Sequence, residues 1–126
     1  MLFRSLVITN DGLFQAGSTT LSPAGRDLLT QIATALKNGT AQQSSDTDWL
    51  IRVDGHADKQ RGGRYPSNWD LSAARAVTVV RSLVGNGIPA KRVAAETFGE
   101  NQPLDLADTP AAYAKNRRIE IRLSEQ

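Results

Sequence analysis

The sequence predicts a two-layer α/β sandwich, with helices packed on one face of a mixed four-stranded sheet. Three observations carry that expectation. Short apolar runs of period two alternate with longer runs of helical period, in the order β-α-β-α-β-(short α)-β. Turn and capping residues punctuate the runs where such elements must end. In the last run, Ile119, Ile121 and Leu123 alternate with Glu120 and Arg122, which suits a sheet with one wet face. The 126 residues read as a single domain, 1–126, long enough for a real hydrophobic core.

Taken in order, Arg4 to Ile8 is the first strand, and Asn10-Asp11-Gly12 turns the chain. Ser22 caps the first helix and Pro23 takes its first position, where a missing N–H costs nothing. Leu28, Leu29, Ile32, Ala35 and Leu36 recur at helical spacing up to Asn38-Gly39. A Gln- and Ser-rich loop from Thr40 to Asp48 leads to a second strand, Trp49 to Gly55. Trp49, Ile51 and Val53 share one of its faces, while Arg52 and Asp54 share the other. Gln60 to Ser67 is a loop. A long helix follows, from Asn68 or Asp70 to Val84, with Ala73, Val77, Val80 and Val84 as the expected buried stripe. Gly85-Asn86-Gly87 ends it. Val93 to Phe98 is the third strand, Thr109-Pro110 opens a helical turn through Tyr113, and the last strand runs from Arg117 or Arg118 to Leu123.

Composition excludes several function classes. A net charge of +2 is too small to argue for nucleic acid. The absence of cysteine removes disulfides, thiolate metal sites and cysteine nucleophiles. His56 is the sole histidine, so a multi-histidine metal site is excluded. There is no Gly-rich phosphate loop and no Gly-x-Ser-x-Gly elbow. Nothing in the spacing of Asp54, Asp58, Glu96 and Glu100 favours a general acid paired with a base. The reading is therefore of a non-enzyme with neither metal nor cofactor. No apolar run approaches the roughly 20 residues of a membrane helix, and Met-Leu-Phe-Arg-Ser lacks the apolar core of a signal peptide. Membrane association is expected only through a segment absent from this chain.

The most informative stretch is Val53 to Arg81. A strand runs into Gly55-His56-Ala57-Asp58, a polar loop follows, and the next helix carries Arg75 near its start. An anion and a cation thus meet at one rim, which suits a ligand holding both an ammonium and a carboxylate. Bland readings stand beside that one. Asp58 also reads as a turn or helix cap, Asn68 as an N-cap, and His56 as a structural histidine. The expected stripe sends Arg75 to a flank of its helix, where it reads either as a solvated ion-pair partner or as a planar fork for a carboxylate. Arg117 and Arg118 point to opposite faces of a strand, so at most one joins a given site. Tyr65 and Trp69 read as loop packing or as shelter for a ligand.

These residues resemble the OmpA-like C-terminal domain, the peptidoglycan-associating module of OmpA, Pal and MotB-type proteins. The resemblance runs through Phe14-Gln-Ala-Gly-Ser18, Leu21, Gly55-His-Ala-Asp58, Asn68, Leu71-Ser-Ala-Ala-Arg75-Ala76, Gly99-Glu-Asn-Gln-Pro103 and Asn116-Arg-Arg-Ile119-Glu120. Tyr65 to Ser72 looks closest to the MotB-like branch. Two departures stand out: Ala57 where the family usually has Thr, and a longer loop between Asp58 and Asn68 containing Lys59, Arg61 and Arg64. The resemblance implies an OmpA-like fold and non-covalent binding of the diaminopimelate residue of the peptidoglycan stem peptide. Asp58 would accept the ligand's side-chain ammonium and Arg75 would grip its carboxylate. Asn68 would add a polar contact, Arg117 would close the site, and backbone groups near Ala57 and Gly17 would add hydrogen bonds. It also implies a periplasmic protein attached to the inner or outer membrane and anchoring an envelope component to the cell wall. The alternative is a protein-interaction or homodimerisation module of a larger machine, such as a flagellar-motor stator. A wall hydrolase is a distant third.

Overall fold

The computed structural model describes residues 5–40, 49–60 and 65–125. Strand β1 (Ser5–Thr9) runs through a 3-10 turn at Asn10–Gly12 towards helix α1 (Pro23–Thr40) and strand β2 (Trp49–His56). Helix α2 (Asn68–Gly85), a 3-10 turn at Ala90–Arg92 and strand β3 (Val93–Gly99) follow, then helix α3 (Pro110–Asn116) and strand β4 (Arg118–Glu125). The expected α/β order is observed. Arg4, the loop over 41–48, and Arg61 and Arg64 lie outside the described residues.

The four strands form one mixed sheet in the order β1-β4-β2-β3. Strand β4 is antiparallel to both β1 and β2, while β2 and β3 are parallel and joined across α2. That parallel pair needs a crossover, and the helix supplies it. Local chemistry explains the helix starts. Ser22 Oγ accepts from Gly25 N at 2.9 Å, and Thr109 Oγ1 accepts from Ala112 N at 3.1 Å. Helix α3 outruns the expected end at Tyr113 by three residues. The buried Asn116 at its end secures the preceding loop, with its Oδ1 accepting from Leu104 N (2.8 Å) and Asp105 N (3.0 Å).

The core lies between the sheet and helices α1 and α2. Leu29, Ile32, Ala33 and Leu36 of α1 and Ala76, Val79 and Leu83 of α2 pack against Ile51, Val53, Ile119 and Ile121. On α2 the buried face differs from the expected one. Ser72, Arg75, Ala76, Val79 and Leu83 are buried, while Val77 and Val84 are 38% and 36% exposed. The cause is a close approach of α2 to β2: a Cβ on Gly55 would collide with the Ser72 carbonyl and crowd the Ala76 methyl. Only a row of small residues fits there, so Ser72 and Ala76 face the strand and Val77 and Val84 turn outward, while Val80 stays partly buried against the core. The same rotation carries Arg75 inward. It is 6% exposed, not a flank residue.

The opposite sheet face carries charge. Arg122 Nε donates to Asp54 Oδ2 at 2.7 Å, Arg118 Nε to Glu120 Oε2 at 2.6 Å, and Arg52 Nη1 to Glu96 Oε1 at 3.4 Å. The alternation along β4 is as expected, but the face is wet only in part: Arg52, Glu96 and Arg122 keep solvent contact, whereas Asp54, His56 and Arg118 are buried within the charge network.

Candidate functional site

The end of β2, the start of α2, the turn after β1 and the junction of α3 with β4 converge on one rim. The sheet ladder slips between Gly55 and His56, and Ala57 N then donates to Gly99 O at 2.8 Å. This leaves Asp58 just beyond the sheet, only 7% exposed. Its Oδ1 accepts from Gln60 N at 2.8 Å, an Asx-type turn, and its Oδ2 accepts from Arg117 Nη1 at 2.6 Å. The turn-capping reading and a charged role at the rim therefore coexist.

Asn68 is the first residue of α2 rather than its cap. Ser67 caps the helix, accepting from Asp70 N at 3.3 Å and donating to Asp70 Oδ2 at 2.7 Å. The Asn68 amide instead donates to Asp58 O (3.1 Å), Gln60 O (3.1 Å) and Glu100 Oε1 (3.2 Å). It ties the Asp58 loop to the helix and to the turn after β3.

Arg75 enters the rim from the buried side of α2. Its Nε donates to Ser18 O at 3.1 Å, and its guanidinium lies 5.4 Å from the centre of the Phe14 ring. Among the described residues its terminal nitrogens make no hydrogen bond and it forms no ion pair. Burial lowers its pKa, the nearby Arg117 adds to that, and Asp11, Tyr65 and Asp58 oppose it. A guanidinium remains charged through such a shift. The rim thus holds a buried cation with two donor nitrogens unclaimed by any described residue.

Arg117 bridges two anions, donating to Asp58 and, at 3.3 Å, to Asp11 Oδ2. Burial pulls its pKa down, but the hydrogen bonds it donates to Asp58 and Asp11, with the charges of those carboxylates, outweigh that and raise it. Arg118 turns the other way, to Glu120 and to Gln102 O at 3.0 Å. Only one of the adjacent arginines joins the site, as expected, although the cause differs from simple strand alternation: Arg117 caps the end of α3 and only Arg118 lies on β4.

Two cavities lie near this rim, neither lined by Asp58 or Arg117 themselves. One of about 130 Å³ lies between Arg75 and the loop that carries Asn10, Asp11, Phe14 and Gly17. Gly17 has φ of +65°, a left-handed turn conformation that a side chain would strain. The other cavity, about 90 Å³, is lined by Ala57, Lys59, Glu100, Leu106 and Tyr113 among others. The structure therefore joins Arg75 to Gly17 but puts Ala57 at a separate cavity, with the Asp58–Arg117 pair linked to both sides through the chain. Asp11, Phe14 and Ser18 went unrecognised in the sequence as neighbours of these arginines. Asn10-Asp11-Gly12 carried only a turn signal, and no spacing rule ties β1 to β4 across more than a hundred residues.

Donor atoms of Asp54, His56 and Glu120 lie within 4.8 Å of one another, the arrangement nearest to a metal-binding group among the described residues. Their surroundings disfavour a cation. Both carboxylates are already held by guanidinium groups, from Arg122 and Arg118. His56 is 3% exposed and stacks on Phe98 with centroids 5.1 Å apart. Burial, then the Arg118 charge, pushes its pKa down to about 4, so the imidazole is neutral at physiological pH. It is a structural histidine in a charge network.

Comparison with known proteins agrees with this geometry. The OmpA family model matches residues 13–117. The chain is 33% identical over 119 residues to the probable lipoprotein YiaD of Escherichia coli (strain K12), covering 94% of this chain and 50% of that protein. It thus spans about half the length of that relative. The cell wall anchor of the T6SS from Pseudomonas aeruginosa superposes with a TM-score of 0.82 at 31% identity, over 97% of this chain and 81% of that one. The periplasmic domain of Helicobacter pylori MotB (residues 97-256) superposes with a TM-score of 0.85 at 22% identity, over 97% of this chain and 82% of that one. The chain belongs to the OmpA family and shares its fold with the periplasmic domain of MotB.

Proposed function

We propose that this chain binds peptidoglycan without covalent chemistry, through the diaminopimelate residue of the stem peptide, and so holds a larger envelope protein to the cell wall. One observation carries the reading: Arg75 is a buried cation whose two terminal nitrogens have no partner among the described residues, and it faces a cavity. Folding leaves such a group unpaired at a cost, and a ligand carboxylate offsets it with two parallel hydrogen bonds. Asp58 supplies negative charge for the ligand's ammonium, Asn68 holds the Asp58 loop in place, and Arg117 closes the rim. The family supports the reading, as does likeness to a protein described as a cell wall anchor. The site offers binding groups in fixed geometry, and the described residues around it include no nucleophile–base pair. No helix among the described residues is long and apolar enough to cross a membrane. Periplasmic placement, with attachment to the inner or outer membrane through another part of the protein, follows from the same proposal.

The test is titration of a diaminopimelate-containing stem peptide into wild type, Asp58→Ala and Arg75→Ala. Binding by wild type that weakens at least tenfold in each variant is expected; equal binding by all three would remove the site assignment. A second reading, homodimerisation, is favoured by one feature. Strand β1 is a sheet edge, and its Leu6 and Val7 are 37% and 49% exposed. Sedimentation of wild type and Val7→Lys decides it: a dimer dispersed by the lysine supports that reading, and a monomer throughout removes it.

A further inference from the structure

The cavity of about 90 Å³ lies apart from Arg75 but adjoins the same rim along two elements. Ala57 and Lys59, on either side of Asp58 in the chain, both line it, and so does Asn116, which precedes Arg117. Arg117 also donates to Asp11, which lines the cavity beside Arg75, so the Asp58–Arg117 ion pair forms the ridge between the two hollows. The walls are mostly apolar: Ala57, Pro103, Leu106, Ala107 and Tyr113. Hydrogen bonds fix the loop that carries three of them. Asn116 Oδ1 accepts from Leu104 N and Asp105 N, its Nδ2 donates to Asp105 O at 2.8 Å, and Asp105 Oδ1 accepts from Ala107 N at 3.0 Å. Lys59 pairs with Asp108, which ties the Asp58 loop to the same segment. Leu106 is thereby held 84% exposed at the cavity, an apolar side chain that the core does not bury.

We infer that this cavity is a subsite for a small apolar side chain, of alanine size, on the residue that follows diaminopimelate in the stem peptide. The inference rests on the proposed diaminopimelate reading and deepens it. Diaminopimelate has two amino-acid ends separated by an aliphatic chain. With the free end held by Asp58 and Arg75, that chain leads back over the Asp58–Arg117 ridge, and the residue joined to its other end reaches the Ala57 side. Of the two peptide neighbours there, an acidic one is disfavoured by Glu100 and Asp105, which border the cavity. Volume limits the side chain. About 90 Å³ is roughly three water volumes and falls short of the ~150 Å³ that takes a benzene ring. A methyl group with its carbon fills that space, whereas a branched side chain overflows it. Because the loop is already ordered, docking there costs little further entropy.

The experiment titrates stem peptides that differ only in the residue after diaminopimelate (glycine, alanine or leucine) into wild type and Leu106→Ser. Leu106 is so exposed that the variant will fold. In wild type the alanine peptide is expected to bind about fourfold more tightly than the glycine peptide, the effect of burying one methyl group, with no further gain for leucine. In Leu106→Ser that preference should fall to about twofold or less. Equal binding of the glycine and alanine peptides to wild type overturns the inference, while leaving intact a reading in which wild type binds and Arg75→Ala does not. A preference of the same size in Leu106→Ser also overturns it, since the preference then comes from the stiffness of the peptide and not from the cavity. Leucine that binds more tightly than alanine overturns it too, because the cavity is then a general apolar surface. Wild type that binds none of the peptides removes the diaminopimelate reading itself.

Discussion

Replacing Arg75 by methionine separates what this residue does for folding from what it does for a ligand. The side chain is 6% exposed, and its only described hydrogen bond is Nε to Ser18 O at 3.1 Å. Losing that bond costs about 1.5–3 kcal/mol, and losing the contact with Phe14 costs roughly 0.5–2 kcal/mol. Against this, the variant no longer keeps a charge out of water without an anionic partner, which costs several kcal/mol in proteins. Methionine also retains much of the buried apolar stem. The opposing effects nearly cancel, so urea denaturation is expected to show a stability change within about 2 kcal/mol of wild type. Binding has no such compensation. Two charge-assisted hydrogen bonds to a carboxylate disappear, and after allowance for water in the open cavity the loss is about 2 kcal/mol, roughly thirtyfold in Kd. Calorimetric titration of a diaminopimelate-containing stem peptide reads that number. A variant destabilised by more than about 4 kcal/mol but with wild-type affinity would show that Arg75 is a structural residue and not a carboxylate-binding one.

Two further expectations follow from the packing and the charge network. Leu83→Ala should cost about 2–5 kcal/mol, while Val84→Ala should stay within about 0.5 kcal/mol; similar losses in urea melts would contradict the observed face of α2. His56 has a folded pKa near 4, below its unfolded value near 6.5, so the unfolded state binds the extra proton first. Its contribution is fully present above about pH 6.5 and falls as pH drops towards 4, by about 3 kcal/mol in all. Asp54, whose pKa is raised chiefly by burial, works in the other direction and blunts this loss. His56→Phe, which keeps the stacking on Phe98, should flatten the stability–pH curve between pH 6.5 and 4.5; an unchanged slope would mean that other groups control it.

Much of the fold was legible because its signals are local. Ser22-Pro23 and Thr109-Pro110 start helices through contacts three residues away, and the Ile119–Leu123 alternation reports its own two faces. The face of α2 was not legible. Four valine and alanine positions suggested a stripe, but the decision came from Gly55 on another element, which admits only Ser72 and Ala76. That same distant constraint turned Arg75 from a presumed flank residue into a buried one, and so made it the best-supported member of the candidate site. The sequence motifs brought Asp58, Asn68, Arg75 and Arg117 to notice. The pairing of Arg117 with both Asp58 and Asp11 depends on bringing β1, β2 and β4 together, which no local pattern encodes. Likewise, Asn68 looked like a cap because asparagine favours that position, yet Ser67 took the cap and freed Asn68 to bind the Asp58 loop.

Among the described residues Arg75 is a buried cation without an anionic partner, and a ligand swap, which leaves the protein unchanged, tests whether it takes a carboxylate. A stem peptide with lysine in place of diaminopimelate keeps the ammonium but lacks the second carboxylate. Side-by-side titration of the two peptides into wild type should show the lysine form binding at least tenfold more weakly, a difference of about 1.4 kcal/mol. Equal affinity for the two peptides would contradict the account.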